Sequence, residues 1–218
     1  MLSVRISTFL SVTLALSLLS NVLPAVAAVH DRGHSRPNRA GKVSGQYANL
    51  SASALVSQAY RNLQGGNAEK SIEMFQAAVR KEPGNAVARR YLSYTLLQQG
   101  RAAEAMEQLR LLGSLGKLSG YDLFLTGQAL EMMGDKKSAA QYYVYAVDEE
   151  PANEFYRLKA IDSLRELSLY DDATDLVNEG LAMSHDKAVR ANYRNKAAQI
   201  ASARKLVNIQ ITCHKSLE

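Results

Sequence analysis

The chain has 218 residues, of which 47% are hydrophobic and 22% are charged, and its net charge is +5. This composition is that of a globular protein, and it excludes collagen, a coiled-coil rod and a mostly disordered chain. The single cysteine, Cys213, and the four histidines exclude an internal disulfide framework and a zinc site built from cysteines.

The first segment of the chain, residues 1–27, has the pattern of a secretory signal peptide. A basic start precedes an apolar stretch over residues 6–19, and small residues follow at Ala25 and Ala27. This order predicts export with cleavage after Ala27, and cleavage after Ala28 is the alternative. An uncleaved membrane anchor is a further alternative, but the apolar stretch is shorter than the ~20 residues that a spanning helix needs.

Residues 28–47 are predicted to form a flexible basic linker. The segment is rich in glycine, has a net charge of +3 and contains no repeated apolar positions, so it cannot form a core. His30 and His34 have a spacing that a metal site on a helix would use, but Gly33 and the lack of helix signals argue against a helix here. No metal site and no cofactor are therefore expected.

The next part of the chain contains a pattern that recurs every 34 residues. Its columns hold a glycine, then a small residue, then a bulky apolar residue, with a proline at twice the interval. They are Gly66, Gly100 and Gly134; Ser71, Ala105, Ala139 and Ala173; Phe75, Leu109, Tyr143 and Val177; and Pro83 and Pro151. Such a unit fits two antiparallel helices, because glycine ends the first, small residues allow close approach and proline stops the second.

Polar residues beside these columns are predicted to cap the helices. Asn67 and Asp135 follow the glycines and suit the N-caps of second helices, whereas Ser119 and Asn153 suit the N-caps of first helices.

The register resembles the tetratricopeptide repeat, which also has Gly, Ala and Pro at these positions. The resemblance implies an all-α, helical-hairpin solenoid of about four repeats within residues 48–207. Repeat two departs from the pattern at Leu112 and repeat four departs at Ser168 and Gly180. The glycine-rich segment 113–120 is predicted to be a looser junction, and a small hinge there is a hypothesis.

The end of the chain is predicted to close the stack, since terminal repeats expose apolar faces. Residues 187–207 have apolar positions on one helical face and Lys or Arg on the other, which predicts a capping helix. Residues 208–218 contain only a short β-like run and are predicted to be a frayed tail.

The resemblance also implies a binding groove, because first helices line a concave surface in tetratricopeptide repeat proteins. The positions that this implies are Tyr60, Arg90, Tyr94, Tyr121, Phe124, Gln128, Phe155 and Leu158. About half of the aromatic residues are expected to be exposed. The Lys and Asn that chaperone-binding members use to hold a carboxylate are absent, so an extended or helical peptide with apolar anchors is expected.

No catalytic arrangement is present in the sequence. Ser163 has no histidine placed to activate it, and Cys213 beside His214 lies in the predicted tail without a supporting shell. We therefore expect a non-enzymatic, exported interaction scaffold or adaptor of the cell envelope, whose partner is another protein or peptide segment.

The charge distribution leaves two alternative functions open. Residues 48–186 have a net charge of −5, whereas residues 187–218 have a net charge of +6. The first alternative is a self-assembling, homo-oligomeric structural protein of the envelope. The second is an accessory subunit that contacts envelope polymer or anionic lipid through its basic ends. Export disfavours nucleic acid as a partner.

Overall fold

The computed structural model describes residues 45–116 and 118–215. The predicted signal peptide and most of the predicted linker, with His30 and His34, lie outside these residues. The described part contains nine α-helices and no strand, which confirms the predicted all-α class. The helices are α1 Ala52–Gln64, α2 Ala68–Lys81, α3 Ala86–Gln98, α4 Ala102–Gly113, α5 Gly120–Met132, α6 Lys136–Glu149, α7 Glu154–Glu166, α8 Tyr170–Met183 and α9 Lys187–Lys215. None of them combines the length and apolarity needed to cross a bilayer.

The helices belong to two compact units, divided between Leu118 and Ser119. The first unit holds α1 to α4 and the second holds α5 to α9. Within each unit, consecutive helices pack against one another as two helical hairpins, and in the second unit α9 packs on α8 and α7. The division falls inside segment 113–120, and the hinge that the sequence suggests there remains a prediction.

Side-chain caps start most of the first helices of each hairpin. The Ser119 hydroxyl accepts a hydrogen bond from the Asp122 amide and the Asp122 carboxylate accepts one from the Ser119 amide, which is a complete capping box. Asn153 and Asp135 also accept amide hydrogen bonds at their helix starts, as predicted. Asn67 occupies the N-cap of α2, as predicted, but its side chain makes no capping hydrogen bond.

The turn inside each hairpin uses a left-handed backbone. Gly66, Gly100 and Gly134 have φ values of 78°, 73° and 88°. The fourth hairpin has Ser168 at this place, and it adopts the same conformation with a φ of 63°. The geometry therefore persists in repeat four although the glycine is lost.

The recurring small and bulky residues form the core of both units. All four small residues and all four bulky residues of the columns have exposed fractions of 1% or less. The close approach is visible at Gly127, where an added Cβ would lie 2.6 Å from the Tyr143 ring. Pro83 and Pro151 each lie two residues beyond the end of a second helix, where proline cannot continue it.

Elements beyond the four hairpins lie at both ends of the described chain. Helix α1 begins at Ala52 with Ser51 as its N-cap, and Tyr47 lies in a preceding turn with only 3% of its surface exposed. Helix α9 continues to Lys215, so residues 208–215 are helical and the predicted β-like, frayed run is wrong there. The helix continues because no glycine or proline interrupts residues 187–215.

Candidate functional site

The first unit presents an aromatic face on its first helices. The Tyr60 side chain is 40% exposed, and its ring meets the Tyr91 ring edge-on with centroids 5.3 Å apart. Tyr91 in turn stacks at 5.8 Å on Phe75, which is fully buried. A buried ring therefore supports a chain of two more rings that leads to the surface. Val87 is 47% exposed on the same helix as Tyr91.

Two other predicted groove residues of the first unit, Arg90 and Tyr94, are half-buried. Both belong to α3, four residues apart, and so lie on neighbouring turns of one helix face. The first-unit face is thus defined by Tyr60, Val87, Tyr91 and their neighbours Arg90 and Tyr94. Sequence reasoning omitted Tyr91, although its spacing of three from Tyr94 was a usable signal.

The second unit presents a different aromatic face, built on α5 and α7. The Phe155 ring is 63% exposed and lies 5.0 Å from the ring of Phe124. Phe124 also contacts the rings of Tyr156 at 5.1 Å and Tyr143 at 5.4 Å. The exposed ring of Phe155 is therefore the outermost member of a packed cluster of four aromatic residues.

Phe124 itself does not line a surface. Only 3% of its side chain is exposed, because rings from α6 and α7 cover it. The expectation that Phe124 contacts a partner is corrected: it supports Phe155 from below. Tyr121, Gln128 and Leu158 are half-buried and remain predicted surface positions of this face.

A hydrogen-bonded network joins α5 and α7, the helices of the Phe155 face, to α6. The Tyr143 hydroxyl donates to Glu131 Oε2 at 2.7 Å, and Lys159 Nζ donates to Glu131 Oε1 at 2.9 Å. Burial alone would raise the pKa of Glu131, but the hydrogen bonds from Lys159 and Tyr143 outweigh it and lower that pKa. Glu131 therefore stays ionised and fixes the position of Lys159.

Helix α9 is attached to the second unit through charged contacts. Lys196 Nζ donates to both carboxylate oxygens of Asp162 at 2.7 Å, and Arg204 pairs with Asp171. Arg190 donates to the carbonyl oxygens of Leu181 and Ser184. These contacts neutralise part of the basic charge that the sequence places in this helix.

Two buried arginines were missed by sequence reasoning. Arg89 and Arg157 are 7% and 2% exposed. Arg89 donates from Nε to the Pro83 carbonyl oxygen at 2.9 Å, and Arg157 donates from Nη2 to the Pro151 carbonyl oxygen at 2.8 Å. Each arginine thus holds the turn that precedes its own helix.

The sequence contained a signal for these arginines. The string Glu-Pro-x-Asn-x-x-x-Arg occurs at residues 82–89 and again at residues 150–157, which are 68 positions apart. A self-comparison at twice the repeat interval would have shown that the proline and the arginine recur together.

The possible reactive groups form no cluster in the described part of the chain. Among residues 45–116 and 118–215, no three His, Cys, Asp or Glu side chains are grouped so that they could hold a metal ion. The side chain of Cys213 lies outside the described residues.

Comparisons with known proteins bear on the repeat. The family model described as tetratricopeptide repeat matches residues 62–115. No curated protein sequence matches the chain. The chain is similar to the crystal structure of MamA protein, with 14% identity, coverage of 80% of this chain and 90% of that chain, and a TM-score of 0.59.

Two further solved structures have similar scores. YrrB, described as a TPR protein with an unusual peptide-binding site, is 14% identical, with 75% of this chain and 84% of that chain covered and a TM-score of 0.61. A tetratricopeptide repeat protein from Parabacteroides merdae is 19% identical, with 70% and 64% covered and a TM-score of 0.59. At these identities the similarity establishes the fold.

Proposed function

We propose that this chain, which has the fold of tetratricopeptide repeat proteins, is an interaction scaffold that holds a segment of a partner protein against the aromatic faces of its first helices. The observation that carries this proposal is the exposure of Phe155, whose ring rests on the buried ring of Phe124. An aromatic side chain held rigidly at the surface loses little conformational freedom on binding and offers a large apolar area. Such residues supply much of the binding energy at protein interfaces.

The chemistry of the two faces suggests what the partner segment contains. The first-unit face combines the exposed side chains of Tyr60 and Val87 and the half-buried rings of Tyr91 and Tyr94 with the cation Arg90. The second-unit face combines Phe155 and Leu158 with the Lys159–Glu131 pair. A partner segment that has apolar anchor residues with few charges between them suits both faces. YrrB, which shares the fold, has a peptide-binding site, and a peptide is the partner form that we propose for this chain.

The proposed site of action is outside the cytoplasm. Its support is the basic start, apolar stretch and small residues of segment 1–27, which together have the pattern of a signal peptide. The proposal is therefore an exported adaptor of the cell envelope. Mass spectrometry of the protein purified from its native cells tests this directly. A mature N-terminus at residue 28 or 29 supports export, and a retained segment 1–27 contradicts it.

The peptide-binding proposal is tested with peptides selected from a random display library against the full chain. Calorimetry then compares the wild type with Phe155→Ala. Burying a phenylalanine side chain is worth about 1.5–3 kcal/mol, so the substitution should weaken binding roughly 10- to 100-fold. The helical content should not change, because the substituted side chain is mostly exposed.

Leu206→Ala is the matched control for this experiment. Leu206 and Phe155 have the same exposed fraction, 63%, but Leu206 belongs to α9 rather than to an aromatic face. The proposal expects Leu206→Ala to bind the peptides with wild-type affinity. Equal binding by Phe155→Ala and the wild type, or a library that yields no binder, would refute the assignment of the face.

The basic helix α9 supports a second candidate function, contact with an anionic surface of the envelope. Residues 187–215 contain seven Lys or Arg and no Asp or Glu. Lys187, Arg194 and Lys205 are exposed and pair with no other group in the described part of the chain. Binding to anionic vesicles that falls with salt and with substitution of these three residues by Gln supports this function, and its absence rejects it.

A further inference from the structure

A cavity of about 170 Å³ lies in the second unit. It is bounded by the turn that joins α6 to α7, by the end of α8 and by the start of α9. Pro151, Met183 and Val189 give it apolar walls, and Glu154 and Arg157 give it polar ones. Its volume is roughly that of five or six molecules of liquid water at ~30 Å³ each, which suits one long side chain.

The cavity has an identifiable origin in the sequence. Gly180 stands at the repeat position that Ala78, Leu112 and Ala146 hold in the other three repeats, all of them buried. The Tyr193 ring of α9 lies against the backbone of Gly180, where any Cβ would overlap it. The capping helix therefore replaces a core side chain with a ring, and the space beside that ring stays open.

The buried arginine at the cavity is already satisfied. Arg157 donates to Glu179 Oε2 at 3.0 Å, to the Pro151 carbonyl oxygen at 2.8 Å and to Met183 Sδ at 3.4 Å. With both of its terminal nitrogens engaged in these contacts and 2% of its surface exposed, Arg157 is a wall of the cavity. It is not the group that requires a ligand.

The unsatisfied group is the carboxylate of Glu154. Its Oε1 atom is closed off from solvent and accepts no hydrogen bond from the described part of the chain. Burial raises the pKa of Tyr193, the charge of Arg157 opposes this, and the charge of Glu154 adds a smaller increase. Glu154 and Tyr193 both line the cavity. A buried carboxylate oxygen without a donor is costly in free energy, so a donor entering the cavity would be bound favourably.

We propose that this cavity binds an alkyl ammonium or guanidinium group, with an N–H donated to Glu154 Oε1 and the methylene chain against Pro151 and Val189. A ring such as that of Tyr193 favours a nearby cation. A lysine or arginine side chain of a polypeptide and a free alkylamine both carry this chemistry. The site shares no lining residue with the two aromatic faces and is independent of the scaffold proposal.

The test follows the methyl resonance of Met183 in the full chain labelled with ¹³C-methyl methionine. Met183 lines the cavity, and Met74 and Met106 of the first unit serve as internal references. The probes are n-butylammonium chloride and a blocked alanine–lysine–alanine peptide, with n-butanol as the uncharged control. The proposal expects a saturable shift at Met183 with at least one cationic probe, little shift with n-butanol, and constant reference resonances.

Two variants of equal charge change separate the site from general electrostatics. Glu154→Gln should weaken binding about tenfold or more, since a hydrogen bond to a charged group is worth about 1.5–3 kcal/mol. Asp175→Asn removes one exposed carboxylate of the same unit and should leave binding unchanged. Unchanged methyl resonances of Met132 and Met133, which belong to the second unit, show that each variant is folded.

The arms of the experiment also identify the source of the cation. Binding of the peptide at least as tightly as butylammonium indicates a polypeptide side chain, whereas binding of butylammonium alone indicates a free amine. The proposal is overturned if no cationic probe gives a saturable shift at Met183, which would mean a cavity filled with water only. It is also overturned if Glu154→Gln binds like the wild type or if n-butanol binds equally.

Discussion

Ser168 gives the sharpest test of the repeat geometry. It adopts a left-handed φ of 63° at the hairpin turn, where Gly134 adopts 88° in the preceding repeat. A left-handed conformation costs a residue with a Cβ about 1–2 kcal/mol, and glycine avoids this cost. The substitution Ser168→Gly should therefore stabilise the second unit.

The magnitude follows from two opposing effects. Relief of the strained backbone raises the free energy of unfolding by about 1–2 kcal/mol. The greater freedom of glycine in the unfolded chain lowers it by roughly 0.5–1 kcal/mol. The one side-chain contact that is lost is a long, exposed hydrogen bond of 3.4 Å from Tyr170. The net gain is about 0.75 kcal/mol, within a range of roughly 0–1.5 kcal/mol. A gain of that size should raise the melting temperature by about 2–3 °C in a chain of this size.

Urea denaturation followed by circular dichroism measures this gain, and two glycine substitutions calibrate it. Gly134→Ser places the same side chain in the same conformation and should lose a similar free energy, and Gly134→Val should lose more because valine is β-branched. Gly84→Ser is the control, because Gly84 has no positive φ and no atom within 4 Å of an added Cβ.

The outcomes distinguish backbone strain from other effects. If Ser168→Gly lowers the free energy of unfolding, the serine is not strained in this turn and the reasoning fails. If Gly84→Ser costs as much as Gly134→Ser, the loss reflects the removal of glycine in general and not the left-handed column.

Two further predictions concern polar groups of the second unit, Glu131, which is partly buried, and Arg157, which is buried. Lys159 and Tyr143 lower the pKa of Glu131, so its ionised form stabilises the fold at pH values above the ordinary carboxyl pKa. This contribution is no more than about 1 kcal/mol, and it is lost as the pH falls through the lowered pKa. The difference in stability between the wild type and Glu131→Gln should shrink from pH 7 to about pH 3 in urea titrations, and a constant difference would contradict the assignment. Arg157→Met should lower the free energy of unfolding by about 2–3 kcal/mol, which is more than the loss expected for Arg89→Met. The reason is that Arg157 is paired with a carboxylate, whereas Arg89 is paired with a neutral amide. Equal losses of the two variants in urea denaturation would argue against this.

The fold was largely predictable because the repeat imposes the same constraint several times. A single glycine or alanine is ambiguous, but the same residue types recurring every 34 positions specify a turn and a close helix contact in register. Gly66, Gly100 and Gly134 have the expected left-handed backbone, and the small residue that follows each of them is buried as expected. Local signals of this kind need no knowledge of distant residues.

The candidate surface was less predictable because burial depends on distant partners. Position alone places Phe124 on the binding side of α5, but rings contributed by α6 and α7 cover it. The prediction for the end of α9 was wrong for another reason. The β-branched residues at 209 and 211 suggested a strand, but such propensities are weak where no glycine or proline stops a helix. The burial of Arg157 was not predicted, because a charged residue is expected at the surface unless its buried partners are known.

The Glu-Pro-x-Asn-x-x-x-Arg string occurs once in each unit, and the core beside it differs between the two units. In both units the arginine holds the proline carbonyl, so the turn before the helix is fixed in the same way. The first unit then fills the neighbouring core with Leu112, whereas the second has Gly180 there and receives Tyr193 from α9. The cavity of the second unit thus lies where the capping helix completes the hairpin. The aromatic face around Phe155 is built from α5, α6 and α7 and needs no residue of α9, so the two proposed sites depend on different parts of the same unit.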